Sequence, residues 1–512
     1  MCGICALVLK NPEDNLRIVP EGIITMNFAQ QNRGQKSSGI AVYNPLAPQE
    51  VYARETMVRH KGHGMVSEVF AFSDPAAREK IVEKMKGIAG IGHNRYSTSG
   101  RDRVDYKALE DAAEDEDQPF FWRHARPEKR MALSYNGNMA NHLEIAEQMR
   151  QKGYERTTNV DTELWMNLLA FNINRLSQTP TGDFKKPNWF EVMTRALEPV
   201  DGASNLAVLL GNGDLLFYRG GFHPMVYGEN DRVYAVASES IALEAIGIKE
   251  YRDLRPGEAG VITSSGVSFN KISVGEPFCH FEDVYFANSS SIHDCMSIRA
   301  RRRALGERLA QNEPLIDQIT RNKSDWMVVP SPKTAIPAAE AYAETLGLVI
   351  RQAIEKREGK KGFINPQAIR HWIMDTDYVY HEDVKNKKII LPDDSIVRGD
   401  TARRQILHLR EHGAKEVHLI LTNPPLRWPC FYGIDFPSHQ ELVANMVDPN
   451  KNLPIAQLEK RVATEIGADS VHYQTIKDLA SALGGCENGY CLACINGNYP
   501  TPCGKRCAEL AK

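Results

Sequence analysis

The pattern of strands and helices changes near residue 310, and this change restricts the fold of each half. In the first half, the apolar runs Ala207–Leu210 and Leu215–Tyr218 flank the turn Gly211–Asp214, which is typical of an antiparallel hairpin. In the second half, the apolar run Trp326–Val329 leads to helical spacing at Ile336–Leu346, and the alternation then repeats. Repeated strand–helix–strand units predict a parallel sheet covered by helices on both faces. Because 512 residues are many for a single core, we predict two large domains.

We place the first domain at residues 2–270, with an α+β fold in which layered sheets are covered by helices. Helical spacing is found at His142–Lys152 and at Asp161–Ile173. In the second helix, the predicted inward stripe consists of Leu164, Leu168, Leu169 and Phe171. Residues 271–470 are predicted to form the α/β doubly wound domain, and residues 471–512 a cysteine-rich C-terminal segment.

The composition is that of an ordinary soluble protein, with 42% hydrophobic and 25% charged residues. The net charge of −3 gives no electrostatic basis for binding nucleic acid or an anionic membrane, so small molecules are the expected partners. The N-terminal apolar run has no basic region before it, and no stretch reaches transmembrane length. We therefore expect a cytoplasmic protein. The acidic stretch Asp102–Asp117 is expected to be a solvated loop.

Cys2 is the first candidate for catalysis. If the initiator Met1 is removed, Cys2 carries both a thiol nucleophile and a free α-amine that can act as its base. The reference pKa is about 7.7–8.0 for the amine and about 8.5 for the thiol, so near neutral pH the amine can accept the thiol proton. Such a residue suits acyl transfer. The alternative is that Cys2 and Cys5 are small apolar residues that open a buried strand, Gly3–Leu9.

A cysteine that attacks an amide also needs donors for the oxyanion and groups that hold the charged ends of the substrate. Arg95 offers a guanidinium for a carboxylate, and Asp161 offers a partner for an ammonium. Asn136 and Gly137 offer an amide side chain and a backbone N–H for the oxyanion. Each has a structural alternative: Asn-Gly is commonly a turn, Arg95 could be a surface cation, and Asp161, with Thr158 upstream, could belong to a helix cap.

The order of these motifs along the chain is that of a known family. The motifs are Cys2-Gly3-Ile4, Arg33-Gly34-Gln35, His93-Asn94-Arg95-Tyr96-Ser97-Thr98, Asn136-Gly137-Asn138 and Asp161-Thr162-Glu163. They resemble those of class II glutamine amidotransferases, N-terminal-nucleophile hydrolases with αββα layers that release ammonia from glutamine. The resemblance implies that Cys2 is the nucleophile and that Asn136 and Gly137 form the oxyanion hole. It also implies that glutamine is bound by Arg33, Arg95, Thr98 and Asp161. Within the last group, Arg95 and Thr98 would hold the carboxylate end and Asp161 the α-amine.

A second motif follows the apolar strand Ile389–Leu391 and leads through a short loop to helical spacing at Thr401–His412. Asp393 and Asp394 lie at the carboxyl end of the strand, where paired carboxylates can accept hydrogen bonds from ribose hydroxyls or approach a metal. The backbone N–H groups and hydroxyls that follow, at a helix N-terminus, can hold a phosphate. The alternative is a turn followed by a capped helix.

This stretch resembles the phosphoribosyl pyrophosphate (PRPP) motif of type I phosphoribosyltransferases. The resemblance implies that Asp393 and Asp394 bind the ribose hydroxyls and that Mg²⁺ bridges the diphosphate, with the two carboxylates as its protein ligands. The loop implied to bind the 5′-phosphate contains Ser395, Arg398, Gly399 and Thr401.

Over almost its whole length, the chain resembles the amidophosphoribosyltransferase family. Further matching stretches are Tyr218–Gly221, Val236–Ser240, Arg255–Glu258, Phe281–Ala287 and Phe431–Asp435. The resemblance implies that ammonia from glutamine displaces pyrophosphate from PRPP to give 5-phosphoribosylamine, the first step of purine synthesis; we also expect a homo-oligomer. Two alternatives stay open: a different phosphosugar or nucleotide as the acceptor, or a second domain that is a regulatory ligand-binding module.

Five of the ten cysteines crowd the C-terminus, namely Cys486, Cys491, Cys494, Cys503 and Cys507. Some members of the family carry a [4Fe–4S] cluster, and the positions that match its ligands are Cys279, Cys430, Cys491 and Cys494. Four thiolates suit either a cluster or tetrahedral zinc. The competing interpretation is a local zinc site made of the C-terminal cysteines alone.

The departures from the family lie in the second half. Where the family's pyrophosphate loop reads Pro-Asp-Ser-Gly, this chain has Ser331, Pro332 and Lys333. A proline supplies no N–H, and a lysine does not permit the close backbone approach of glycine. The family's cationic mobile loop continues here as Arg370–Asp377, with acids where cations are expected, and Asp400 replaces a threonine of the 5′-phosphate loop. The acceptor of ammonia is therefore open.

Overall fold

The computed structural model describes residues 1–45, 56–96, 116–179, 183–356, 378–436, 438–485 and 489–510. The strands of the first half, in chain order, are β1 (Gly3–Leu9), β2 (Ser37–Tyr43), β3 (Met57–His63), β4 (Ala89–Arg95), β5 (Phe120–Trp122), β6 (Met131–Met139), β7 (Gly202–Leu210), β8 (Leu215–Arg219), β9 (Val226–Glu229), β10 (Val233–Ala237), β11 (Tyr251–Asp253), β12 (Glu258–Thr263) and β13 (Gly266–Lys271). Its helices are α1 (Ile18–Ala29), α2 (Val66–Val69), α3 (Pro75–Lys84), α4 (His142–Gln151), α5 (Asp161–Leu176), α6 (Trp189–Leu197) and α7 (Ser240–Glu244).

The first half has four layers, with two antiparallel sheets packed between helices. The sheet orders are β11-β9-β10-β1-β4-β2-β3 and β13-β12-β8-β7-β6-β5. Along β1, Ile4 and Ala6 face the core between the sheets, whereas Cys5 and Leu7 face α1 on the outer side. Because successive strand residues point to opposite faces, burial on both faces explains why β1 is apolar throughout. The predicted α+β architecture is confirmed.

The local predictions for this half agree closely with the structure. β7 and β8 form the predicted antiparallel hairpin, with Leu209 opposite Leu215. α4 ends one residue before the predicted Lys152, and α5 runs three residues beyond the predicted Ile173. Of the predicted inward stripe on α5, only Phe171 is partly exposed.

The second half is built on a parallel sheet. Its remaining strands are β14 (Phe278–Cys279), β15 (Ile292–His293), β16 (Met296–Ser297), β17 (Trp326–Val328), β18 (Val349–Ile350), β19 (Ile354–Lys356), β20 (Tyr378–Tyr380), β21 (Lys388–Asp393), β22 (Glu416–Leu421), β23 (Ser470–Tyr473) and β24 (Tyr490–Cys491). Its helices are α8 (Ile298–Gln311), α9 (Ile316–Arg321), α10 (Ile336–Leu346), α11 (Asp400–Glu411), α12 (Val443–Met446), α13 (Ile455–Ile466), α14 (Ile476–Ala482), α15 (Ala493–Asn496) and α16 (Pro502–Leu510).

The parallel sheet has the order β18-β17-β21-β22-β23 and is covered on both faces. Ile389 and Leu391 of β21 pack into the core that includes α11 and α13, while Ile390 packs on the opposite face against α10. This is the predicted doubly wound α/β arrangement. The C-terminal segment returns to the start of this half, because β24 pairs in parallel with β14.

Among the described helices, none is long and apolar enough to cross a lipid bilayer.

Candidate active site

Cys2 lies at the end of the first sheet where three site elements meet. In the antiparallel pairing of β1 with β4, Gly3 is opposite Asn94, so the next positions outward are Cys2 and Arg95. From the second sheet, Asn136 on β6 approaches Cys2, and its Oδ1 accepts a hydrogen bond from the Cys2 backbone N at 2.9 Å. The side chain of Cys2 is half-buried. Cys5, three residues further along the chain, is buried, and burial raises the pKa of its thiol.

The Asn136–Gly137 pair has the properties expected of an oxyanion-binding element. Asn136 Nδ2 is buried and has no hydrogen-bond partner among the residues described. A buried donor without a partner is costly in a resting protein, so this group is available to a ligand. Gly137 lies so close to the Ala203 carbonyl oxygen across β6 and β7 that a Cβ would collide with it. The pair is therefore a fixed part of the sheet and not a turn.

Asp161 is the first residue of α5, and its surroundings differ from those of a helix cap. Its Oδ2 accepts a hydrogen bond from the Met139 backbone N at 3.0 Å, while Val160 occupies the capping position without a side-chain bond. The Thr158 hydroxyl donates to Glu163 at 2.8 Å. Burial raises the pKa of Asp161, and the hydrogen bond from the Met139 backbone and the charge of His142 oppose it only in part.

Arg95, at the end of β4, is paired with two acids. Its Nη1 is 3.1 Å from Asp117 Oδ1, and its Nη2 is 3.4 Å from Glu116 Oε2. The expectation of a solvated loop over 102–117 is therefore wrong at its end, because Asp117 is fully buried. Residues 102–115 and Thr98, the other predicted carboxylate-binding residue, lie outside the described part of the chain.

The surroundings of Arg33 correct the prediction that it binds glutamine. Its side chain is 0% exposed and forms ion pairs with Glu239 at 3.0 Å and Glu282 at 2.7 Å. Its Nε donates to the Cys2 carbonyl oxygen at 3.1 Å. A guanidinium enclosed in this way has no face left for a substrate, so Arg33 holds the backbone of Cys2 instead. Both acids are distant in sequence, which is why the local motif did not predict them.

The second cluster lies at the carboxyl end of β21. The Asp394 backbone N donates to Asp393 Oδ1 at 2.9 Å, and both carboxyl groups are enclosed. Burial raises the pKa of Asp394 to about 6. Burial and then the charge of Asp394 raise the pKa of Asp393 well above its ordinary range. Two adjacent enclosed carboxyl groups oppose each other's ionisation for this reason.

The loop after the acidic pair leads into α11 through Gly399, whose φ of +86° favours glycine. Ser395 Oγ donates to Asp394 Oδ1 at 3.2 Å, and Thr401 lies in the first turn of the helix. Arg398 pairs with Glu441 at 3.1 Å. Asp400, which starts the helix, pairs with Arg403 at 3.1 Å and brings a negative charge to the place where a phosphate is expected.

The altered pyrophosphate loop packs against the acidic pair. The Ser331 backbone N donates to the Pro392 carbonyl oxygen at 2.9 Å, and its Oγ accepts a hydrogen bond from Gln405 at 3.1 Å. Ser331 is buried. Arg302 on α8 is buried nearby, and burial lowers the pKa of its guanidinium to about 10 despite the opposing charge of Asp394. Sequence reasoning missed Arg302. The acidic stretch predicted to replace the mobile loop, 370–377, is outside the described residues.

Four cysteines line one enclosed cavity, and they are the four predicted ligands: Cys279, Cys430, Cys491 and Cys494. The pairing of β14 with β24 sets Cys279 directly opposite Cys491. All four have free thiols. Burial, followed by the charges of the other three thiols, raises the pKa of Cys279 well above its ordinary range.

The remaining C-terminal cysteines form a separate pair. Cys503 and Cys507, on α16, have their sulfur atoms 3.8 Å apart, and Cys486 lies outside the described residues. No group of three or more His, Cys, Asp or Glu side chains within the described ranges is arranged to hold a single metal ion. The local zinc site stays an alternative, because the described residues lack Cys486, one of its five cysteines.

The comparisons with known proteins agree with this fold. A family described as a glutamine amidotransferase domain matches residues 105–245. With the four-layer first half and the doubly wound second half, this match defines a glutamine amidotransferase coupled to a phosphoribosyltransferase-type domain. The amidophosphoribosyltransferase of Archaeoglobus fulgidus is 32% identical over 510 residues, which cover 98% of each chain. That of Methanothermobacter thermautotrophicus is 31% identical and covers 97% of this chain and 94% of the relative. The chain belongs to the amidophosphoribosyltransferase family.

A solved structure supports the same assignment over the whole chain. The glutamine PRPP amidotransferase of B. subtilis, in complex with ADP and GMP, matches with a TM-score of 0.78 at 27% identity and covers 98% of both chains. The protein is therefore an enzyme of the glutamine amidotransferase and glycosyltransferase type.

Proposed function

We propose that this enzyme transfers the amide nitrogen of glutamine to C1 of PRPP, with Cys2 as the nucleophile and Asp393 and Asp394 at the acceptor site. The observation that carries the proposal is the meeting of Cys2, Asn136 and Arg95 at one end of the first sheet, with Asn136 bonded to Cys2 N at 2.9 Å.

Removal of Met1 would give Cys2 a free α-amine. This amine takes the thiol proton as Sγ attacks the glutamine amide carbon. The negative charge that develops on the amide oxygen is stabilised by Asn136 Nδ2 and the Gly137 N–H. The C–N bond then breaks, ammonia leaves with the proton returned by the amine, and a thioester remains. Water hydrolyses the thioester to glutamate and frees the thiol.

The ammonia is proposed to pass to the second site inside the protein. The Met1 side chain is buried in an apolar cluster with Phe281, Phe286 and Ile434, residues of the second half. Loss of Met1 would leave space beside Cys2 that is lined by these apolar groups, which exclude water. Tyr285 lies between Phe281 and Phe286 in the chain, and burial and then the charge of Asp394, at the second site, raise the pKa of Tyr285.

At the second site, ammonia attacks C1 of PRPP and the bond from C1 to the pyrophosphate oxygen breaks. Asp393 and Asp394 would bind the ribose hydroxyls, and the loop that holds Ser395, Arg398, Gly399 and Thr401 would receive the 5′-phosphate at the N-terminus of α11. The acidic pair fits Mg²⁺, since a bound cation would offset the burial and then the repulsion from Asp394 that raise the pKa of Asp393. Magnesium would neutralise the charge of the leaving pyrophosphate.

The donor set of the four-cysteine cavity would fit a [4Fe–4S] cluster, with zinc as the alternative. The cavity offers four free thiols from three separate segments. Cys279, Cys430, Cys491 and Cys494 would hold the cluster, which would tie the C-terminal segment to the start of the second half as a structural cross-link.

We also propose domain limits at residues 270 and 470, a cytoplasmic location and a homo-oligomer. The first limit falls beside the end of β13 at Lys271. The second falls at the first residue of β23, which pairs with β22 in the parallel sheet, so this strand belongs with the second domain and the C-terminal segment begins after Tyr473. Sedimentation velocity of the purified enzyme tests the oligomer.

The test of the main proposal uses anaerobically purified enzyme with glutamine, PRPP and Mg²⁺. The expected result is one phosphoribosylamine and one pyrophosphate for each glutamate released. Replacement of Cys2 by Ala abolishes the glutamine-dependent reaction but keeps product formation from ammonium salts, because the second site is intact. Release of glutamate at a rate that PRPP does not change, without phosphoribosylamine, would refute the assignment of the acceptor.

A second candidate is the same glutaminase with another phosphosugar or nucleotide acceptor. The buried Ser331 loop and the acidic start of α11 at Asp400 favour it, because both remove groups that would bind PRPP phosphates. Screening acceptors for glutamine-dependent amination decides between the candidates, and turnover with PRPP alone rejects this one.

A further inference from the structure

The carboxylate of Asp117 holds the guanidinium that we assign to the carboxylate of glutamine. Arg95 Nη1 is 3.1 Å from Asp117 Oδ1, and Glu116 Oε2 is 3.4 Å from Nη2. The side chains are 13% exposed for Arg95 and 0% for Asp117. Water therefore screens this interaction weakly, and an incoming carboxylate meets an arginine whose charge is already balanced.

Asp117 is held beside the site by its neighbour in the chain. Gln118 Nε2 donates to the Thr162 hydroxyl at 3.0 Å, and its Oε1 accepts from the Tyr135 backbone N at 2.7 Å. Thr162 is on α5 and Tyr135 on β6, the elements that carry the proposed ammonium site and oxyanion hole. These two bonds position Asp117 within reach of Arg95.

Only one oxygen of Asp117 is well satisfied. Its Oδ2 is 3.0 Å from His63 Nδ1, but the contact lacks hydrogen-bonding geometry, and Oδ2 has no hydrogen-bond partner in the described ranges. Release of Asp117 from Arg95 therefore sacrifices mainly one charge-assisted hydrogen bond, the one at Oδ1. A substrate carboxylate that forms two hydrogen bonds with Arg95 can replace that bond and add a second one.

We infer that Asp117 competes with the α-carboxylate of glutamine for Arg95 and so lowers the affinity of the glutaminase site for its substrate. This inference rests on the proposed role of Arg95 as the carboxylate-binding residue. Glutamine has to displace Asp117 or share the guanidinium with it, and either makes the free energy of glutamine binding less favourable. Amide substrates that lack a free α-carboxylate do not enter this competition.

The test is the substitution Asp117→Asn, which keeps the shape of the side chain and removes its charge. The KM for glutamine is expected to fall about tenfold, the size of one charge-assisted hydrogen bond, with kcat within about twofold. With glutamine α-methyl ester, kcat/KM is expected to stay within about twofold of the unmodified enzyme. The matched control is Glu147→Gln, an exposed acid on α4 that pairs with Arg150 and should leave both substrates unaffected.

Glu116→Gln provides a second test if Asp117→Asn does not fold. Because its contact with Arg95 is longer, the KM should fall by about threefold. A KM that rises or stays constant in the folded variants overturns the inference, since Asp117 would then orient Arg95 and not oppose the substrate.

Failure of the proposed function looks different from failure of this inference. If Arg95→Ala leaves the KM for glutamine unchanged, or Cys2→Ala still releases glutamate, the proposed site itself is wrong. If both variants behave as proposed and Asp117→Asn raises the KM, only the competition is refuted.

Discussion

The oxyanion assignment predicts a large and specific effect of Asn136→Asp. Asp has the shape of Asn and can still accept the bond from Cys2 N, which is 2.9 Å long in the structure. It replaces Nδ2, the buried donor without a described partner, by a negatively charged oxygen. The substitution therefore removes the proposed oxyanion donor while it keeps the contact that positions the nucleophile.

The magnitude follows from what is lost. Removal of one oxyanion donor typically lowers kcat by about 10²–10³, or about 3–4 kcal/mol in the barrier. The added negative charge opposes the oxyanion, so we expect the upper end of this range. The KM should change by less than about threefold, because the group acts on a charge that exists only in the transition state.

The assay is glutamate release at saturating glutamine. The matched control is Asn138→Asp, two residues further along β6, whose Nδ2 donates to the Phe431 carbonyl oxygen at 2.9 Å; its kcat without PRPP should stay within about threefold. Thermal unfolding of both variants checks that they fold. Retention of more than about a third of kcat by Asn136→Asp would refute the oxyanion assignment.

Three further predictions concern the buried charges, the acceptor site and the cysteine cavity. Burial acts to raise the pKa of Glu282, but Arg33 overrides it and holds the pKa at about 2, below the reference 4.5. The stabilisation that ionised Glu282 gives the fold is therefore full above pH about 4.5 and is lost as the pH falls toward 2. Glu282→Gln should lower the free energy of unfolding by about 3 kcal/mol and weaken the loss of stability at acid pH, as measured by urea titrations. Asp394→Asn should abolish phosphoribosylamine formation from glutamine or ammonium salts and leave basal glutamate release within about twofold. Cys279→Ser should reduce the iron and sulfide content per chain and the visible absorbance, whereas Cys295→Ser, at an exposed free cysteine, should not.

Much of the fold was predictable because its signals are local. The apolar run of β1, the hairpin of β7 and β8, and the repeated strand and helix units all follow from periodicity and turn residues. The bounds of α4 and α5 differed from the predictions by three residues or fewer, which is the usual uncertainty of helix ends.

The site was less predictable where it depends on distant residues. The resemblance assigned Arg33 to glutamine binding, and the local motif could not predict its partners, Glu239 and Glu282, because they are about 200 residues or more away in the chain. Asp117 belongs to a run of acids, which favours solvation, and it is buried by tertiary contacts that the run does not reveal: those of its own side chain with Arg95 and those of its neighbour Gln118. The four-cysteine set came from the resemblance to a family, since spacing alone also allowed a local zinc site.

The segment from Phe278 to Phe286 connects all three centres of the molecule. Cys279 lines the cysteine cavity, Glu282 pairs with the Arg33 that holds the Cys2 carbonyl, and the pKa of Tyr285 responds to Asp394 after burial. Part of this segment is a short π-helical turn, Glu282–Phe286, which is buried except for Tyr285. Residues of this one short segment therefore contact, or respond to, each of the three centres. For this reason the loss of the proposed cluster should weaken the proposed stimulation of glutamate release by PRPP before it lowers the intrinsic reactivity of Cys2, which glutamate release measured with and without PRPP on cluster-free enzyme would check.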